Sequence, residues 1–363
     1  MKADYLIVGS GLTGSVIARL LSDAGFSVLI LERRSHIGGN AHDHFHPSGI
    51  RMHTYGPHYF RCNDENVWVF VNGFTRFYKY EAVVKSYVDG EYENWPIAAS
   101  YIERVGGDNW QPAFTGTPRN FEEASLAMMP RAIYEKFVKG YTEKQWGVPA
   151  DTLSVRLARR FDVRSDDEPR LMHHRHQGLP VDGYAALMRN MLKGIPVVLN
   201  CDYLKARDFF SARRKIIFTG PIDEYFGFDL GKLKYRGQKR SHEYLPDIRY
   251  AQPCAQINNP SPELAHIRSI EWKYMMQPEF AERILGSVVT KETTVTAENP
   301  SDYEYPFPDE ANSKLYEAYR QRARVTPNLL VCGRLGDYRY YDMDQAIARA
   351  MLLAERVKSG SSS

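Results

Sequence analysis

Cysteine is scarce in this 363-residue chain, and Cys62, Cys201, Cys254 and Cys332 are scattered without a Cys-x-x-Cys pair. That spacing argues against a disulfide framework and reads as reduced thiols in a cytoplasmic protein. An excess of one charge is also lacking. Lys and Arg number 47 against 44 Asp and Glu, a net charge of +3 that gives no footing for nucleic acid. Any anionic ligand must therefore meet a local cluster of bases. No apolar run approaches the ~20 residues of a membrane span. Met1-Lys2-Ala3-Asp4 passes directly into a strand pattern, with no secretory segment ahead of it. Internal repeats and like-charge blocks are missing as well. Aromatics are what the chain has in quantity: 24 Tyr, 17 Phe and 5 Trp. A surplus of Tyr suits pockets that need flat faces and hydroxyls together. The length suggests two or three units built on one α/β core.

The first forty residues are the clearest. Tyr5-Leu6-Ile7-Val8 is a short buried-strand run, followed by Gly9-Ser10-Gly11-Leu12-Thr13-Gly14 and a helical face of Val16, Ile17, Leu20 and Leu21. Gly25 closes that helix, and Ser27 to Leu31 form a second strand ending at Glu32. A Gly-x-Gly-x-x-Gly inside such a βαβ unit is a dinucleotide-binding fingerprint. Gly9 permits the tight turn, Gly11 lets backbone N–H groups approach a pyrophosphate, and Gly14 allows close helix–strand packing. The helix N-terminus faces the phosphates, and Glu32 lies where a carboxylate accepts ribose hydroxyls.

Beyond Glu32 the order Arg33-Arg34-Ser35-His36-Ile37-Gly38-Gly39-Asn40 places a second Gly-Gly approach where an NAD enzyme would enter its next helix. That suits a longer ligand, and FAD is the expected cofactor. The far end agrees. Asn328 to Cys332 reads as a strand, Gly333-Arg334 as a turn, and Asp344 to Ala350 as the start of a helix, with Arg334 available to the pyrophosphate. Lys215 to Gly220 is a further buried strand of the same sheet, stopping at Gly220. Residues 98–188 read as mostly helical, for example Glu122 to Met129 and Arg131 to Val138. Residues 236–316 alternate as strands and loops. The tail, 357–363, reads as flexible. His42, His44 and His46 alternate as on a strand, but no partner at ligand spacing accompanies them, and no metal is expected.

Several longer stretches then carry a resemblance. Lys139-Gly140-Tyr141-Thr142-Glu143-Lys144-Gln145-Trp146-Gly147, Arg175 to Tyr184, Phe218 to Phe226, and Gly333 to Met343 resemble motifs of the UDP-galactopyranose mutases, in family order over nearly the whole chain. The resemblance implies a Rossmann-type FAD-binding domain (1–75, 192–235 and 317–356), a helical substrate domain (98–188) and an antiparallel sheet domain (76–97 and 236–316). It also implies an isomerase that interconverts pyranose and furanose forms of a nucleotide-bound hexose, UDP-galactose or a close relative. Reduced FAD, with N5 as nucleophile on the anomeric carbon, is implied for that chemistry, with an external NAD(P)H or other reductant.

Site residues follow from the matched motifs. Arg175 and Arg268 match the diphosphate arginines, planar forks suited to phosphate oxygens. Gly178 and Gly183 near the ends of the Arg175 loop suggest that it closes over substrate. Tyr184, Tyr305, Tyr338 and Tyr341 match phenols that hold the diphosphate or shape the sugar pocket. Tyr141 would stack on uracil and Trp146 would line the sugar side, with Phe137 and Thr142 of the same segment also expected to bind substrate. His58 matches a histidine beside the flavin. Arg61 and Asn94 fall in sugar-facing stretches where this chain departs from the family pattern, which leaves the hexose open. Thr13, Arg33, Asn40, Tyr55, Asp342 and Met343 complete the expected cofactor contacts. A homodimer is compatible with the resemblance. The alternatives are a redox flavoenzyme of the amine-oxidase-like superfamily and a nucleotide-sugar-binding protein without turnover.

Overall fold

The computed structural model describes residues 1–160 and 163–360. Its centre is a five-stranded parallel sheet in the order Val197–Val198, Val28–Leu31, Lys2–Val8, Ser211–Phe218, Leu329–Val331. Leu6, Ile7, Ile30, Leu31 and Phe218 are fully buried. Both faces are covered, which is why these strands read as continuous apolar runs and not as alternating ones. On one face helix Leu12–Asp23 packs against Met343–Lys358 and Tyr184–Met191. On the other, helix Glu310–Val325 brings Tyr319 and Ala323 against Leu29, Leu31 and Phe218.

A seven-stranded sheet stands beside it: Tyr305–Pro306, Tyr235–Leu245, Ser287–Ala297, Arg268–Glu271, Gln256–Asn258, Val84–Val88, Glu91–Trp95. Its pairs are antiparallel except one. Gln256–Asn258 runs parallel to Val84–Val88, which corrects the all-antiparallel expectation. The two strands come from distant stretches of chain, so no hairpin dictates their sense. Phe77–Lys79, expected in this sheet, instead pairs with His176–Pro180 in a separate three-stranded sheet with Phe60–Cys62.

The helical segment forms its own core around Phe121, Ile133, Tyr134, Phe137 and Trp146. The expected helix at Glu122 runs Phe121–Leu126, where the Asn120 side chain accepts from the Glu123 N–H at 2.9 Å and caps it. Arg131–Ile133 continues through a π-helical stretch, Tyr134–Lys139, into helix Gly140–Trp146. The core of this helical segment does not reach residue 188. His176–Pro180 is a strand, and Tyr184–Met191 buries Leu187 and Met191 beneath the parallel sheet. Two other expected boundaries also move. Helix Glu310–Val325 runs across 316/317, and helix Met343–Lys358 takes in the first residues of the expected tail, with Val357 buried. Residues 361–363 of that tail lie outside the described residues. Among the described residues, no helix is long and apolar enough to cross a membrane.

Candidate active site

A cleft opens at the carboxyl ends of the parallel strands. This is where ligands bind in sheets of this kind. Gly9, Gly11, Thr13, Gly14, Glu32, Arg33, Gly38, Gly39, Asn40, Gly220, Arg334 and Met343, all expected cofactor contacts, line it together. The close approaches are steric facts. A Cβ on Gly14 would sit 2.1 Å from the Gly9 carbonyl oxygen, and one on Gly39 would sit 2.9 Å from the Gly11 Cα. The second Gly-Gly therefore lets two loops lie against each other beneath the cleft. Helix Leu12–Asp23 begins at Gly11 with no side-chain cap, so its first N–H groups remain available to an anion. Glu32 is fixed in the wall: its carboxylate accepts from the Ser10 N–H (2.8 Å), the Ser10 hydroxyl (2.7 Å) and the Arg34 N–H (2.9 Å). The residues present fit a dinucleotide cofactor such as FAD.

A second cleft joins the first at Asn40, His58, Arg334 and Met343. Arg61, Arg268, Tyr305 and Tyr341 line it, and so do Tyr55 and Asp342, which were expected as cofactor contacts but do not line the first cleft. Arg61 pairs with Asp342 at 3.1 Å, and the Tyr341 hydroxyl donates to Asp337 at 3.0 Å. Arg268 belongs to a buried chain of charges. Its Nε lies 2.5 Å from Glu292, whose other oxygen takes Arg240 Nε at 2.8 Å. Arg240 then grips Glu304 with both Nη atoms at 2.9 Å. Burial alone would push the Glu292 carboxyl up, but the Arg268 and Arg240 charges hold it below the usual range. Burial likewise works against the Arg268 charge, and Glu292 outweighs it. For Glu304 the balance falls the other way, and burial raises it despite Arg240. Burial also pushes the Tyr305 phenol up to about 12, keeping it a donor.

His58 sits at the junction of the two clefts. Burial, followed by the Arg334 charge, lowers its imidazole to about 4, so it is neutral at physiological pH. Its Nδ1 lies 2.7 Å from the Gly56 carbonyl oxygen, which can only accept. The ring proton is therefore on Nδ1, and Nε2 is left as an acceptor.

Other expected site residues are placed elsewhere. Arg175 lines neither cleft. Its side chain is exposed and stands 3.6 Å from Glu65, and Gly178, expected as a hinge, is paired within the three-stranded sheet. Leu171 and Met172, earlier in the same connection, reach the second cleft instead. Tyr184 is core: its hydroxyl donates to the His58 carbonyl at 2.9 Å, so it supports the site from behind. Phe137 and Trp146 are buried in the helical core, Trp146 edge-on to Phe307, and Thr142 is buried beside them. The apolar face of an amphipathic segment must be covered, and here its own neighbours cover it. Tyr338 bridges backbone, its hydroxyl donating to the Lys234 carbonyl at 2.6 Å. Asn94 accepts from Lys85 at 3.1 Å on a strand at the sheet edge. Tyr141 is half-buried and lines neither cleft.

Sequence reasoning missed Tyr340, whose ring lies nearly parallel to Tyr305 at 6.0 Å. In Tyr338-Arg339-Tyr340-Tyr341, spacing alone does not tell which ring faces the cleft. It also missed Arg240, Glu292 and Glu304, which look like ordinary alternating strand charges. Among the described residues, no group of three or more His, Cys, Asp or Glu is gathered as a metal site.

Comparison with known proteins matches residues 136–340 to the UDP-galactopyranose mutase family and residues 7–74 to the NAD(P)-binding Rossmann-like domain. The chain is 33% identical to a probable UDP-galactopyranose mutase of Klebsiella pneumoniae, over 98% of this chain and 95% of that protein. It is 30% identical to a dTDP-fucopyranose mutase of Escherichia coli, over 96% and 97%. The fold is similar to a crystal structure of reduced UDP-galactopyranose mutase, with a TM-score of 0.73 at 15% identity, over 99% of this chain and 96% of that one. A putrescine oxidase structure shares the fold more loosely, with a TM-score of 0.58 at 12% identity and 99% coverage of each chain.

Proposed function

Because the chain belongs to the UDP-galactopyranose mutase family, a family of isomerases, we propose that it interconverts the pyranose and furanose forms of a nucleotide-bound hexose. The parallel sheet and its helices hold FAD in this reading, and the second cleft holds the nucleotide sugar. One observation carries it: a dinucleotide cleft opens directly into a cleft walled by guanidinium and phenol groups, with His58 and Arg334 common to both. FAD, when bound and reduced, would supply a nucleophilic N5 to the anomeric carbon.

The chain's own groups supply the rest. Contracting the ring requires the anomeric C–O bond to phosphate to break and re-form, so the leaving diphosphate has to be held nearby. Arg268 and Arg334 offer it cations, with Arg61 in the same cleft already paired with Asp342, and Glu292 and Arg240 keep Arg268 aimed. Tyr305 and Tyr340 add a donor and a flat wall without adding fixed charge. Neutral His58 presents an acceptor at the junction, able to take a hydroxyl proton or orient the hydroxyl. Arg175 contributes only if its connection swings inward from Glu65.

The deciding experiment incubates dithionite-reduced holoenzyme with UDP-hexoses and dTDP-6-deoxyhexoses and separates the ring forms by chromatography. Furanose product from reduced enzyme only, without net use of reductant, is the expected result. Stoichiometric reductant consumption would assign a redox activity instead, and binding without ring contraction would leave a nucleotide-sugar receptor.

A further inference from the structure

The seven-stranded sheet has a second face. Successive side chains on a strand alternate in direction. The strands that send Arg268 and its partner Glu292 one way therefore send Ser269 and Lys291 the other. A groove lies on that opposite face and shares no lining residue with either cleft. Ile257 and Val289 are its buried apolar floor, with Ser269 in register opposite Ile257. Two loops wall it. Glu271 pins one, accepting from the Ala251 N–H and the Gln252 N–H, each at 2.9 Å. Lys144 pins the other, its Nζ donating to the Asn259, Ser261 and Leu264 carbonyls at 2.6, 2.7 and 2.9 Å. Tyr87 and Tyr92 form an exposed lip, their ring centroids 5.3 Å apart.

Asn259 carries the inference. It lines the groove at only 5% exposure. Both of its backbone groups are taken, the N–H by the Ile267 carbonyl at 2.8 Å and the carbonyl by Lys144. Among the described residues, its side-chain amide has no hydrogen-bond partner. A buried amide that pairs with nothing is costly, and a ligand hydroxyl would remove that cost. The His266 ring, also in the lining, has no hydrogen-bond partner among the described residues either. Burial, then the Lys291 and Lys144 charges, pull its imidazole below the ordinary value, which leaves a neutral ring with one donor and one acceptor.

This lining selects a class of ligand. Amide, imidazole and hydroxyl groups both donate and accept, as sugar hydroxyls do, and tyrosine faces pack against the C–H face of a sugar ring. Lys291 and Glu243 have opposite charges, so the groove offers no net attraction to an ion. The floor strands are paired on both edges, so no peptide can add to them through its backbone. We propose that this groove is a second ligand site, which binds a neutral, polyhydroxylated sugar ring between the Asn259 amide, His266 and the tyrosine pair. It stands apart from the mutase reading, because none of these residues lines either cleft.

The test uses flavin-loaded full-length protein with methyl β-galactopyranoside, a single ring, and with lactose, the end of a longer glycan. Saturation-transfer NMR reports binding, and the His266 ring resonance, identified by its loss in His266→Gln, reports the place. Both saccharides are expected to bind and to shift that resonance; tighter binding of lactose would identify a glycan end, and equal binding a single ring. Asn259→Ala and Tyr92→Ala should each weaken binding by about tenfold, with flavin content and melting temperature unchanged. Tyr92 is exposed, so its variant decides the matter even if Asn259→Ala unfolds. No binding of either saccharide would overturn the proposal. Binding lost in Arg268→Ala but kept in both groove variants would also overturn it, by placing the sugar in the second cleft. So would a dimer that Tyr92→Ala dissociates in sedimentation, which would make this face a contact between copies of the chain.

Discussion

Arg268 owes its orientation to Glu292, a carboxylate with no exposed side-chain surface that takes Arg240 on its other oxygen. Removing one member of a buried pair leaves an uncompensated charge, so single changes here should be costly. Arg268→Ala is expected to reduce kcat/KM on reduced enzyme by about 30- to 1000-fold, the range of a lost desolvated charge-assisted contact, with flavin retained. Steady-state kinetics and the flavin spectrum check this. Arg175 presents the contrasting case. An exposed pair such as Arg175 with Glu65 contributes little to folding. Arg175→Ala should therefore leave the melting temperature in place, and a kcat loss of about tenfold or more would assign it to substrate closure. His58 titrates near 4, so activity should show no His58 step between pH 6 and 8, and its ring resonances in NMR should stay in the neutral form across that window. Arg268, Arg175 and His58 were all legible as candidates, but their very different surroundings were not, because burial depends on chain segments outside the local pattern, from 24 residues away for Glu292 beside Arg268 to 112 for Asn63 beside Arg175.

At the scale of elements, the first βαβ unit is the best-determined part of the molecule. Strand, glycine turn, helix and Glu32 lie within about 30 consecutive residues, so local pattern specifies them. The second Gly-Gly is where that local reading meets tertiary contact. Gly39→Ala puts a methyl 2.9 Å from the Gly11 backbone, which cannot yield as a flexible side chain would. We expect the variant to purify without bound flavin, as absorbance and mass spectrometry would record, while circular dichroism shows the fold intact. The insertions were less legible. Residues 176–191 follow a helical stretch in sequence but pair with Phe60–Cys62 and pack under the parallel sheet. The partner strands and core surfaces are supplied by residues far away in the chain.

For the whole molecule, acid–base behaviour tests how the packed core is built. Asp223 is fully buried where helix Ile222–Tyr225 leaves the parallel sheet. One oxygen accepts from the Leu233 N–H at 2.9 Å and, among the described residues, the other has no partner. Burial pushes its carboxyl up to about 6. A raised folded-state value means that the native state binds the proton more tightly than the unfolded chain. Asp223 therefore favours folding below about 4, and that contribution is lost as pH rises towards 6. Asp223→Asn keeps the Leu233 acceptor and removes the titration. Denaturant unfolding of the variant should show a gain at pH 7 of at most about 3 kcal/mol and a flatter profile between pH 4 and 6.

The sequence by itself determined the Rossmann-type unit, the family, and the glycines and Glu32 that line the first cleft. Glycine spacing, strand runs and long ordered motifs act over short stretches of chain, where backbone sterics leave few choices. Only the tertiary structure decided which tyrosines face the second cleft, that Tyr184 and Trp146 serve the core, and that Arg240, Glu292 and Glu304 form one network with Arg268. Whether a polar or aromatic side chain ends beside solvent, a ligand or another side chain depends on what the remote chain packs against it, and local pattern carries no record of that neighbour.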